Sequence, residues 1–252
     1  MKQSGLVVAS HGRHCVVETP DGERRICHPR GKKSQVVVGD RVQWLASTDE
    51  GTIEKVEPRH NLFYRQDEIR TKSFAANLDQ VLILLAAEPE FSEMQLTRAL
   101  IAAEAEHITP IIVLNKRDLT ELHARAFTRL APYVTMGYTV LQGAFKSGDL
   151  GDLPERLKHK TTLVLGPSGT GKSTLINALV PHANVATAEI SQALNSGKHT
   201  TTSTTWHWVD AERKTGLIDS PGFQEFGVHH IDAMQLAAYM PDFKPHVTNC
   251  KF

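Results

Sequence analysis

Residues 166–173, Gly-Pro-Ser-Gly-Thr-Gly-Lys-Ser, fit G-x-x-x-x-G-K-[ST], a pattern whose chemistry is the grip on a nucleotide's phosphates. Glycines at 166, 169 and 171 let successive backbone N–H groups turn inward toward anionic oxygens. A helix beginning at the loop's end adds free N–H groups and the positive end of its dipole. In this frame Gly166, Pro167, Ser168, Gly169, Thr170, Gly171 and Thr174 line the phosphates, Lys172 reaches the β- and γ-phosphates, and the Ser173 hydroxyl binds Mg²⁺. The flanks agree. Residues 163–165 are a short apolar run before the loop, and Leu175, Ile176 and Leu179 provide an apolar helical face after it.

Three more stretches bear on the same ligand. Asn115-Lys116-x-Asp118 follows the apolar run 111–114, at the strand end where open α/β sheets hold ligands. An Asp carboxylate accepts two hydrogen bonds from guanine, at N1–H and the 2-amino group. Adenine offers neither, so a carboxylate buried against it stays unpaired. Asn115 is expected to contact the base and the Lys116 stem to cover it. Downstream, residues 216–218 run into Asp219-Ser220-Pro221-Gly222, a D-x-x-G motif in which Asp219 holds Mg²⁺ through water and the Gly222 N–H meets the γ-phosphate. Between these lies Gly197-Lys198-His199-Thr200-Thr201-Thr202, where one threonine closes onto Mg²⁺ and the γ-phosphate. Thr201 is preferred; Thr200 and Thr202 remain alternatives. GTP or GDP with Mg²⁺ is the ligand set these motifs call for. Their order is unusual, because N-K-x-D precedes the phosphate loop. Circular permutation, which folds tolerate when their termini lie close together, accounts for it.

The elements needed to hold these residues are legible around them. Residues 1–57 alternate short β-branched segments (5–9, 15–18, 23–27, 36–38, 42–46 and 52–56) with turn dipeptides such as His11-Gly12 and Gly39-Asp40. This pattern predicts a small closed barrel of the OB type; an SH3-like barrel satisfies the same pattern. Residues 58–77 are polar and read as a linker. From 78 to 228 strands alternate with helices: a buried strand over 79–87, a helix over 92–106 with Ser92 as N-cap, and further strands at 111–114 and 138–141. The fold class is therefore β plus α/β, an OB barrel followed by a permuted P-loop domain with a mostly parallel sheet. Residues 229–252 begin a C-terminal helical piece, with Ala233, Leu236, Ala237 and Met240 on one face of a helix over 229–240.

Bulk properties narrow the function classes. The 252 residues carry 28 Lys plus Arg against 28 Asp plus Glu, so binding driven wholly by bulk attraction to nucleic acid is excluded. A local cationic cluster remains at Arg24, Arg25, His28, Arg30, Lys32 and Lys33; an RNA-binding patch and a solvated loop fit it equally. The three cysteines, Cys15, Cys27 and Cys250, suit a reducing cytoplasm better than a disulfide framework. The longest apolar run, 81–87, is far short of the roughly 20 residues a membrane helix needs, so no membrane partner is expected.

A barrel followed by N-K-x-D, G-x-x-x-x-G-K-S, G-K-H-T-T-T and D-S-P-G-F, in that order, resembles the bacterial ribosome-small-subunit-dependent GTPases of the RsgA (YjeQ) type along essentially the whole chain. The resemblance implies an OB barrel, a permuted GTPase domain and a C-terminal zinc module. It also implies late maturation of the small (30S) ribosomal subunit, with rRNA as partner and hydrolysis stimulated by the subunit. A cytoplasmic monomer is expected. Three departures stand out. Of the family's zinc pattern C-x₄-C-x-H-x₅-C, only Cys250 matches, as first ligand, so the chain reads as C-terminally truncated and no zinc is expected on it. The fifth GTPase motif, normally Ser-Ala, is Gly143-Ala144, which leaves a backbone contact to guanine O6. Ser220 stands where the family usually has Thr.

Phosphoryl transfer to water needs an oriented nucleophile. The residue after D-x-x-G is Phe223, which has no hydrogen-bonding group, and Gln224 is one position off, so slow intrinsic hydrolysis is expected. His199 is the candidate water-orienting residue, against an ordinary exposed loop histidine. The catalytic set is then Lys172, His199, Thr201 and Gly222. A GTP-dependent RNA-binding module with negligible turnover is the alternative, and a P-loop kinase or ATPase a third reading that Asp118 opposes.

Overall fold

The computed structural model describes residues 2–11, 14–31, 36–48, 50–183 and 203–249. Strands β1 (Lys2–Ser10), β2 (Cys15–Glu18), β3 (Arg24–Pro29), β4 (Arg41–Ala46) and β5 (Gly51–Val56) form the N-terminal unit. Antiparallel pairs β1–β2, β2–β3, β4–β5 and β1–β4, with parallel β3–β5, close the ring 1-2-3-5-4. This is the five-stranded OB-like barrel. Val7, Cys15, Val17, Cys27, Val42, Trp44 and Ile53 fill it.

The segment 36–38 is not a strand of the ring. The Asp40 carboxylate takes the Val37 amide at 2.9 Å, and Val38 bridges to Ala75 outside the barrel. Gly39 turns the chain there at φ 90°, with its Cα so near the Ala76 carbonyl that a Cβ would lie 2.2 Å from the oxygen.

The expected linker over 58–77 is instead a β-hairpin, β6 (Leu62–Gln66) and β7 (Thr71–Ala76). Its polar residues hide two apolar anchors. Phe63 and Phe74 are buried, 5.8 Å apart between ring centroids, and both contact the Phe226 ring. Two widely spaced aromatics among arginines and lysines leave little periodic signal to read.

The α/β sheet contains β8 (Gln80–Ala86), β9 (Thr109–Asn115), β10 (Thr139–Gln142), β11 (Thr161–Leu165), β12 (Thr204–Trp208) and β13 (Gly216–Asp219). Its order is 10-9-8-11-13-12, parallel except for β12. Alternation sorts the strand side chains onto two faces. Val81, Ile83, Leu85, Ile112, Leu114, Leu163 and Ile218 face α1 (Glu93–Ala105), α2 (Thr120–Arg129), α3 (Ala131–Thr135) and the hairpin aromatics. Leu82, Leu84, Ile111, Val113, Val164 and Leu217 face α4 (Leu153–Leu157) and α5 (Lys172–Leu179). Ser92 caps α1 by accepting from the Gln95 amide.

Edge strand β12, missed in the Ser/Thr-rich reading of that region, joins the two units by pairing Thr204 and Thr205 with Ser10 and Ala9 of β1. Glu18, 6% exposed, fastens the joint by accepting from Trp208 Nε1 at 2.7 Å and from Arg24 Nε at 2.8 Å. The helix expected over 229–240 is reduced to a 3₁₀ segment, Ala233–Tyr239, with none of its residues buried and Met234 77% exposed. Its apolar residues meet only a partial partner in α1 and α3, too little surface to hold a full α-helix. No helix among the described residues is long and apolar enough to cross a membrane.

Candidate nucleotide site

The loop between β11 and α5 runs as the motif requires. Gly169 and Gly171 take φ of 82° and 101°, closed to most side chains. Gly166 has a different reason to be glycine: a Cβ there would lie 2.4 Å from the Leu84 carbonyl oxygen on β8. Thr170 Oγ1 donates to the Pro167 carbonyl at 2.9 Å and closes the loop on itself. Lys172 is 7% exposed, and its ammonium donates to the Gly166 and Pro167 carbonyls, both at 2.9 Å. Burial pushes its pKa down to about 8, against the opposing pull of the Asp219 carboxylate. Ser173 and Thr174 are half-buried in the first turn of α5.

The D-x-x-G segment lies beside this loop. Asp219 is buried at the end of β13, level with Val164 of β11. Ser220 Oγ donates to the Val164 carbonyl at 2.7 Å, a role the serine fills without the threonine methyl. Gly222 sits against the phosphate loop: a Cβ on it would be 3.2 Å from Lys172 Nζ and 3.2 Å from the Ser168 amide nitrogen. Phe223 turns inward at 6% exposure, bridging to Pro167 and meeting Phe226 edge-on at 5.6 Å. Downstream, the Phe226 amide donates to Gln95 Oε1 at 2.5 Å, and Gly227 and His229 pair with Gln66 of the hairpin. The D-x-x-G loop therefore continues into a segment packed on the β6–β7 hairpin. No pattern in the polar surface of α1 marked Gln95 for this task.

Asn115 braces the site from within. Its side chain, 4% exposed, donates from Nδ2 to the Thr170 carbonyl at 2.9 Å and accepts the Phe145 amide on Oδ1 at 3.0 Å. It ties the phosphate loop to the loop after β10, a bracing role that the motif reading did not assign. Lys116 takes a left-handed φ of 66° and its ammonium reaches the Glu88 carbonyl. Asp118 projects into solvent, with its carboxylate open before any base covers it.

The expected O6 contact from residues 143–144 is also corrected. The Gly143 amide donates to Leu114 O at 3.1 Å and the Ala144 amide to Asp149 O at 2.9 Å, so both are consumed within the protein. Residues 145–148 form a tight turn that brings the Asp149 carbonyl to the amide of Ala144.

The barrel cluster is less cationic than its sequence suggests. Arg24 pairs with Glu18, Arg25 with Glu23, His28 with Glu50 and Arg30 with Glu54, all at 2.7–2.8 Å. The structure adds rings that the sequence did not bring together: His11 and His14 lie 5.2 Å apart and His14 and His28 6.2 Å apart. Lys32, Lys33, His199, Thr200, Thr201, Thr202 and Cys250 lie outside the described residues.

Comparison with known proteins agrees with this geometry. The RsgA GTPase family model matches residues 56–229, a span that includes the hairpin. Proteins named small ribosomal subunit biogenesis GTPase RsgA are similar along the chain. The one from Variovorax paradoxus is 71% identical over 98% of this chain and 79% of its own length. That from Paraburkholderia phytofirmans is 52% identical over 98% and 81%. Among solved structures, YjeQ from Thermotoga maritima superposes with a TM-score of 0.71 at 29% identity, over 95% of this chain and 81% of that one. YloQ, described as a circularly permuted GTPase, gives 0.68 at 25% identity, over 100% and 82%. With its motifs in permuted order on a matching fold, the chain belongs to the RsgA GTPase family and is a GTP-hydrolysing enzyme.

Proposed function

We propose that this GTPase acts in late maturation of the small ribosomal subunit, as a cytoplasmic monomer that binds rRNA and is stimulated by the subunit. The names of its relatives support the partner. The Asn115 bridge carries the site reading, because it holds the phosphate loop and the loop after β10 to the strand end that leads to Asp118, as one cradle.

In that cradle the β- and γ-phosphates take over the Lys172 ammonium from the Gly166 and Pro167 carbonyls. The nucleotide's charge then restores the protonated form that burial disfavours. The backbone of residues 166–174 surrounds the phosphates, and the Gly222 amide meets the γ-phosphate beside Lys172. Asp118 accepts the guanine N1–H and 2-amino hydrogens, and stacking on the Lys116 stem excludes water from that pair. The oxygen donors Ser173 and buried Asp219 fit a hard divalent cation, and they would hold Mg²⁺, which supplies charge neutralisation between the phosphates.

Phe223 is buried and cannot orient water, so the enzyme alone turns over slowly. His199 and Thr201 are proposed to complete the site when the subunit engages the loop that carries them. Partner-completed GTPases gain about 10³ to 10⁵ in rate. Arg25, paired with the exposed Glu23, can exchange that carboxylate for a phosphate at little cost. The neighbouring histidine rings offer stacking for unpaired bases.

The test is phosphate release from GTP, with ATP as control, with and without purified small subunits. Stimulation restricted to GTP is expected. Equal slow rates with and without subunits would overturn the stimulated-enzyme reading. Together with nucleotide-dependent RNA retention, that result would favour a binding module, which the buried Phe223 also suits.

A further inference from the structure

Helix α2 begins directly behind the turn that carries Asp118. Leu119 donates its amide to the Lys116 carbonyl at 3.0 Å, and the His123 amide donates to Leu119 O at 2.7 Å. On the other side the turn hangs from β9. The Arg117 amide donates to Gly143 O at 3.0 Å, and Leu114 O accepts from Gly143 at 3.1 Å. His123 lies in the first turn of α2. It is 5% exposed, and its ring lies parallel to Phe127, 7° between planes and 6.4 Å between centroids.

The groups whose charge or dipole bears on the imidazole are the Leu114 carbonyl from β9 and Arg117 and Asp118 from the turn, while Phe127 of its own helix lies parallel to it. Nε2 is buried with no hydrogen-bond partner among the described residues. A leucine would fill this space without stranding a polar atom, so a buried imidazole here is costly as packing and calls for another reason.

We propose that His123 is a positioning residue for guanine recognition, holding the Asp118 turn in its base-accepting arrangement as a neutral imidazole and releasing it when protonated. The proposal rests on the guanine-site reading above. Burial keeps the ring neutral by lowering its pKa below the ordinary histidine value, Arg117 adds to that, and the Leu114 carbonyl and Asp118 oppose it. When acid does protonate the ring, the buried cation has no partner at Nε2 and must leave its place, shifting the first turn of α2 and with it the turn that carries Asp118. Guanine-nucleotide affinity then falls on the acid side while the phosphate loop is untouched.

The experiment measures methylanthraniloyl-GDP affinity on the full chain from about pH 5.5 to about pH 8, the range in which histidine titrates. The proteins are wild type, His123→Ala, His123→Gln and Asp118→Asn. His123→Ala is expected to weaken binding about tenfold at neutral pH, about 1.4 kcal/mol, while kcat at saturating GTP stays within about twofold, as the loss of a base-positioning contact requires. His123→Gln keeps a side-chain amide able to reach the Leu114 carbonyl but cannot titrate. It is expected to retain neutral-pH affinity and to lose the part of the acid-side fall that belongs to His123. An acid-side fall in His123→Gln equal to wild type would overturn the proposal, and so would unchanged affinity in His123→Ala. If the alanine variant does not fold, the glutamine profile decides. If Asp118→Asn leaves GDP affinity unchanged, the guanine site itself has been misassigned. If Asp118→Asn weakens binding and both His123 variants follow wild type, only the positioning role fails.

Discussion

Replacing Asn115 with alanine severs the tie between the phosphate loop and the base-side loops. The side chain makes two hydrogen bonds in a nearly dry setting, to Thr170 O at 2.9 Å and from the Phe145 amide at 3.0 Å. Each net bond contributes about 1 kcal/mol, and a buried donor left unpaired costs about 1–3 kcal/mol. The Phe145 amide becomes such a donor, so the combined loss is about 2–4 kcal/mol. If the loss falls on the nucleotide-competent arrangement, GDP affinity drops roughly 30- to 900-fold. Water entering the gap moves the result toward the lower figure. The assay is GDP binding in the presence of Mg²⁺, with urea unfolding of the nucleotide-free variant measured alongside to separate lost affinity from lost stability. A change in affinity of less than about threefold, with a folded variant, would refute the claim that the two loops act as one cradle through this residue.

The other predictions concern the charge and space around the γ-phosphate. Lys172→Met is expected to abolish hydrolysis and to stabilise the nucleotide-free protein at pH 7. The wild-type lysine titrates at about 8 when folded and at its ordinary 10.5 when unfolded. Between those values the unfolded chain holds more protons, so wild-type stability rises with pH. The variant's advantage, read from urea midpoints, should therefore shrink as pH climbs past about 8, and an advantage constant with pH would contradict the desolvated ammonium. Gly222→Ala places a methyl 3.2 Å from both Lys172 Nζ and the Ser168 nitrogen. GTP hydrolysis should fall about tenfold or more with GDP affinity little changed, the pattern of an interaction made only in the triphosphate and transition states.

Much of this protein was legible from residue types and spacing because its chemistry is local. A phosphate loop is a strand end, three glycines and the start of a helix, all within about a dozen residues, and backbone N–H groups do the binding whatever surrounds them. Gly169, Gly171, Lys172 and the N-cap Ser92 stand as their local patterns required. The buried parallel strands were legible for the same reason, as continuous apolar runs bounded by turns.

What stayed hidden depends on contacts between distant positions. Phe63 and Phe74 look like stray aromatics in a polar stretch until Phe226 arrives beside them, more than 150 residues later in the chain. Asn115 reads only as a base contact from its motif, and it is the adjacency of β9, β8 and β11 that brings it to Thr170, 55 residues away, where it braces the phosphate loop. The Ala144 amide was free on paper and is taken by the Asp149 carbonyl across the turn at 145–148. The sequence alone determined the nucleotide chemistry, because that chemistry is written in neighbouring residues. Only the tertiary structure decided which side chains brace the site, how the D-x-x-G loop continues onto the hairpin and where His123 stands, because those depend on strand order and the burial that follows from it.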